Sequence, residues 1–93
     1  MSDLVAFLRA RLDEDEAYLL SNRRHLWTQR PLREVEAKRA ILDAFQAVDA
    51  EVVTMLHDRR PRKYGEWDGL HKAVCHLATV YRDHPDYDEA WKP

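Results

Sequence analysis

Residues 31–58, PLREVEAKRAILDAFQAVDAEVVTMLHD, set Leu32, Val35, Leu42, Phe45, Val48, Val52 and Leu56 at successive steps of three, four or seven. That spacing returns apolar side chains to one face of a 3.6-residue repeat and predicts an amphipathic helix. Ile41, Val53 and Met55 widen the stripe, and Thr28 followed by Pro31 supplies a start signal. About 27 residues at roughly 1.5 Å each make a rod of about 40 Å. The chain is therefore read as all-α, organised around a long central helix.

Working towards the N-terminus, DLVAFLRARLDEDEAYLL repeats Leu4, Val5, Phe7, Leu8, Leu12, Leu19 and Leu20 at helical spacing behind a plausible cap, Ser2. In this first helix Arg9 with Asp13, and Arg11 with Asp15, are positioned to pair at i,i+4. SNRRHLWTQRP then interrupts the pattern. Towards the C-terminus, RRPRKYGEWDG is a connector with Pro61 and Gly65 as breakers. A third helix is expected from about Glu66, burying Leu70, Val74, Leu77 and Tyr81, and His84-Pro85 should stop it because proline disfavours α geometry in the residue before it. The expectation is one domain over 1–93, a three-helix bundle with a short C-terminal helical turn. The central helix is longer than the first by about a third, so some of it should overhang its partners; a bend or a packed tail would cover the surplus stripe, but a homodimer is expected.

Composition agrees with this reading. The 93 residues are 45% hydrophobic and 34% charged, and 2 glycines with 4 prolines are too few for the regular turns of a β-sandwich or barrel. One cysteine, Cys75, makes no internal disulfide, and neither a secretory series nor a bilayer-length apolar run is present, so the expected location is cytoplasmic. Net charge is −2, without the positive excess of a general nucleic-acid binder, although an acidic run at Asp13–Glu16 contrasts with basic clusters.

The closing stretch YRDHPDYDEAWKP gathers a histidine, acids and aromatic rings. Asp86 and Glu89 have the D-x-x-E spacing of a capping box, which would start a last helical turn. Such a turn is too short to stand alone, so Tyr87 and Trp91, at i,i+4, should dock on the bundle as a clasp. The chemical alternative makes His84 a general base oriented by Asp86, or the pair two ligands of a metal.

Other constellations carry weaker signals. His71 and Cys75 at i,i+4 are acceptable zinc ligands, with His25, His57 or His76 to complete a shell, yet CxxC and HExxH patterns are absent and a buried free cysteine beside a half-exposed histidine is the preferred reading. Cys75 in mid-helix lacks the setting of a reactive thiol. Phosphate-binding glycine loops and the R-x4-6-H pattern of small helical ribonucleases are missing. A third helix whose basic residues are Lys72 and Arg82 is a poor helix-turn-helix reader. The connector residues Arg59, Arg60, Arg62 and Lys63, with Tyr64 and Trp67, could contact phosphates and stack a base of a single strand.

The blocks DLVAFLRARLDEDE, PLREVEAKRAIL and YRDHPDYDEAWKP together resemble an uncharacterised family of short actinobacterial helical proteins, a domain of unknown function. The resemblance implies an actinobacterial or phage origin and carries over no activity, cofactor or catalytic residue. The leading expectation is a noncatalytic interaction or adaptor module whose partner is another protein. Weak nucleic-acid binding through 59–67 is the alternative, and a small enzyme ranks third.

Overall fold

The computed structural model describes residues 2–21, 29–58 and 64–93, the side chains of residues 2, 54–58 and 64 excepted. Among them are three α-helices, α1 (Ser2–Ser21), α2 (Gln29–Asp58) and α3 (Tyr64–Ala78), then two 3-10 turns, Thr79–Tyr81 and Glu89–Trp91, and no strand. The all-α bundle expected from periodicity is what forms. The central helix runs to 30 residues against 20 for α1, so it exceeds α1 by half rather than a third. It begins before Pro31, because the first turn leaves its N–H groups without intrahelical partners and tolerates proline.

Cross-helix contacts fix the directions. Arg39 reaches Asp13 and Glu16, while Arg9 reaches Asp43 and Gln46, so α1 and α2 run antiparallel. Trp67 donates to Asp49 and its ring, like that of His71, lies beside Phe45, so α3 runs antiparallel to α2. Leu4, Leu8 and Leu12 of α1, Leu42 and Phe45 of α2, and Val74 of α3 are fully buried where the three meet. Burying each such side chain is worth about 1.5–3 kcal/mol, well above any surface ion pair, so this seam decides the fold.

Several local expectations are corrected. The i,i+4 pairs Arg9–Asp13 and Arg11–Asp15 do not form: Arg11 takes Glu14 at i,i+3 on the same helix, while the other three find partners on other elements, Asp13 with Arg39, Arg9 with Asp43, and Asp15 accepting from the Tyr81 hydroxyl. Packing brings those partners closer than the helix surface does. Gly65 is no breaker, since α3 starts at Tyr64 and carries it in the first turn. The face α3 buries is Val74, Cys75 and Ala78, with Trp67, Leu70, Leu77 and Tyr81 half-buried. Its end also comes earlier than Pro85: β-branched Thr79 and Val80 fall in the 3-10 turn, and the Thr79 hydroxyl donates to the His76 carbonyl. Leu20, expected in the core stripe, is exposed, as is Tyr18.

The molecule is elongated, with a radius of gyration of 15.3 Å and extents of 53 × 25 × 16 Å. A compact domain of this length would have a radius of about 12 Å.

Candidate functional site

Beyond α3 the chain turns back along α1. The His84 amide donates to the Tyr81 carbonyl and the Tyr87 amide to the His84 carbonyl, forming successive tight turns. These bring four rings around Phe7 of α1: Tyr81 at 6.2 Å, His84 at 5.5 Å, Tyr87 at 6.3 Å and Trp91 at 5.0 Å between centroids. Tyr87 and Trp91 also meet edge to face. The Arg11 guanidinium sits 5.1 Å above Phe7. One residue of the first helix thus gathers most of the closing stretch.

The capping geometry differs from the expected register. Asp88, not Asp86, caps the last 3-10 turn, its carboxylate accepting from the Ala90 amide at 2.9 Å. Residue 88 has the extended backbone a cap requires, and the turn it starts is Glu89–Trp91. Asp86 instead uses its backbone N–H, donating to His84 Nδ1 at 3.0 Å. In that bond Nδ1 is the acceptor. Arg11 Nη1 approaches the same ring, 3.0 Å from Nδ1 and 2.5 Å from Nε2, while Nη2 pairs with Glu14 at 2.8 Å. Arg11 is buried, and its Nε has no acceptor. The sequence reading missed both Phe7 and Arg11. Their i,i+4 spacing was visible, but nothing in the sequence says which face of α1 the closing stretch covers.

A groove of about 450 Å³ runs between α1 and this returning segment. Phe7 and Trp91 form its aromatic wall, Arg11 lies behind them, and Asp3, Asp86 and Asp88 stand along it. Ala6 and Ala10 are exposed on its α1 side, and their small side chains leave it open.

On the other side of Trp91, a cleft of about 360 Å³ is lined by His71, Lys72, Cys75 and His76 with Lys92. Cys75 Sγ lies 3.6 Å from His71 Nε2. Burial pushes the Cys75 thiol above its ordinary value, which favours the protonated form over the thiolate that attacks or binds metal. The His71 ring stacks on Trp67 at 4.7 Å and 12°. Among the described residues, no three of His, Cys, Asp or Glu come together as a metal site.

Of the connector residues, Arg59, Arg60, Arg62 and Lys63 lie outside the described residues, as does the side chain of Tyr64. Trp67 is half-buried with its indole N–H donated to Asp49 at 2.9 Å. Its ring is engaged between α2 and α3.

The model for a family of unknown function, DUF6221, matches residues 21–93. The chain belongs to the DUF6221 family. The matched span of this DUF6221 protein contains α2, α3 and the whole returning segment, and leaves out the opening block that supplies Phe7 and Arg11. No curated protein and no solved structure matches the chain. No described helix of the DUF6221 chain is long and apolar enough to cross a membrane.

Proposed function

We propose that this protein is a noncatalytic interaction module that receives another protein in the groove between α1 and the returning C-terminal segment. The observation that carries the reading is the groove itself: an open, aromatic-walled surface assembled from two segments far apart in sequence. The groups that chemistry would draw on have structural tasks. Cys75 is buried as a thiol, His71 is stacked, and His84 is held between Arg11 and the Asp86 amide. A cytoplasmic location, self-association through α2 at the exposed Val53 and an actinobacterial or phage origin belong to the same reading, supported by the single cysteine, by Val53 and by the sequence blocks respectively.

The test is differential capture followed by reconstitution. Wild-type protein and Ala10→Arg, which fills the groove from an exposed position, are used as paired baits, and any protein retained by the first alone is purified and titrated back. A partner whose binding is lost with Ala10→Arg supports the reading. Partners that ignore the substitution, or none at all, would remove it.

A further inference from the structure

We infer that the occupant of this groove is a basic peptide segment of a protein partner, an arginine or lysine seated among Asp3, Asp86 and Asp88 with its stem along Trp91. The inference rests on the interaction reading above and adds the chemistry of the partner. Three exposed carboxylates stand against one cation on the groove, and that cation is buried: Arg11 has Nη2 on Glu14 and Nη1 against His84, and its Nε is left without an acceptor among the described residues. Asp88 caps the last turn through one carboxylate oxygen. The field of the groove is therefore negative, in a chain whose net charge is only −2.

The walls select among cations. These acids do not come together as a metal site, so a point charge such as a divalent ion would be poorly held. A guanidinium or ammonium on a flexible stem suits them better, because its several donors can meet separate carboxylates. Ala6 and Ala10 leave room for an aliphatic stem beside the Trp91 ring, and a cation near an indole face gains a further attraction.

The experiment titrates full-length protein with a ten-residue arginine- and lysine-rich peptide and with a glutamate-rich control of equal length, at low and at high salt. The ¹H–¹⁵N spectrum reports the Trp91 indole. Expected are saturable binding of the basic peptide alone, a shifted Trp91 indole signal, weakening with salt, and at least about tenfold loss in Asp3→Lys/Asp86→Lys. Both positions are exposed, and the Asp86 backbone bond to His84 survives the change; Asp3→Lys alone provides a second, milder variant. Binding that survives charge reversal, binding without a Trp91 response, or no binding overturns the inference. Self-association abolished by the same reversal also overturns it, by giving the groove to a second copy. If a captured partner depends on Ala10 but not on Asp3 and Asp86, the interaction reading stands and the basic-peptide chemistry falls. If Ala10→Arg changes nothing, both fall.

Discussion

The two halves of α1 are held by opposite means. Its N-terminal half presents Phe7 to four rings and to Arg11, nearly all from residues 81–91, in a contact largely withdrawn from water. Its C-terminal half presents acids to α2, where Arg39 joins Asp13 at 2.7 Å and Glu16 at 2.5 Å, with Asp13 itself 73% exposed. Hydrogen bonds donated to Glu16, then to Asp13, hold the Arg39 guanidinium above its ordinary pKa, but water and salt screen such pairs. The comparison teaches that the two kinds of contact differ in weight: the exposed ion pairs, Arg39 with Asp13 and Glu16 and Arg9 with Asp43, tune which turn of α1 faces which turn of α2, while buried apolar contacts, those around Phe7 among them, supply the stability.

The largest expected effect follows directly. Phe7→Ala empties the hub and should cost about 3–5 kcal/mol by urea denaturation. A loss below 1 kcal/mol would mean the rings repack without it. Trp91→Ala should cost less, about 2 kcal/mol, because the ring is half-buried and its far side faces the groove. It should also loosen residues 84–93 in hydrogen exchange while leaving α2 protected.

Tyr81 joins the two halves, and its effect depends on pH. Burial first, then donation to Asp15, raises the pKa of its hydroxyl well above the usual tyrosine value. Unfolded chains release this proton near pH 10, while the folded protein keeps it. Above about pH 10 the unfolded state therefore binds fewer protons, and stability falls as pH rises; below that the contribution is fully present. Tyr81→Phe should cost about 1 kcal/mol at neutral pH and flatten the alkaline decline. An unchanged alkaline limb would show that the fold does not hold the Tyr81 hydroxyl above its ordinary pKa. Smallest of all, Arg39→Ala should cost no more than about 1 kcal/mol, a difference that shrinks as salt is added. A salt-independent loss of several kcal/mol would reverse the comparison.

Much of the fold was legible because helical periodicity is a local signal. The stripe from Val35 to Val52 in α2, and Leu4, Leu8 and Leu12 in α1, announced their own burial. Helix ends were less legible: Gly65 was read as a breaker although the first turn accommodates it, and the effect of Thr79 came before that of Pro85. Ion pairs were misassigned because i,i+4 spacing on one helix competes with partners that only tertiary packing reveals, as with Asp13 and Arg39. The closing stretch shows both sides of this. Its aromatic content pointed to docking, but neither Phe7 as the receiver nor Asp88 as the cap could be read from spacing, since both depend on how the chain turns after Tyr81. The groove is a further step removed, being a product of that turn.

The central claim is that residues 84–93 and α1 form one energetic unit through Phe7 and Trp91. A double-mutant cycle tests it most directly, using Phe7→Leu to keep the core filled, Trp91→Leu, and the pair, each followed by urea denaturation. A coupling of about 0.5–1.5 kcal/mol is expected for rings in contact at 5.0 Å. Additive losses would contradict the account, because they would mean that the returning segment and α1 are stabilised independently and that the groove between them is not a built feature of the fold.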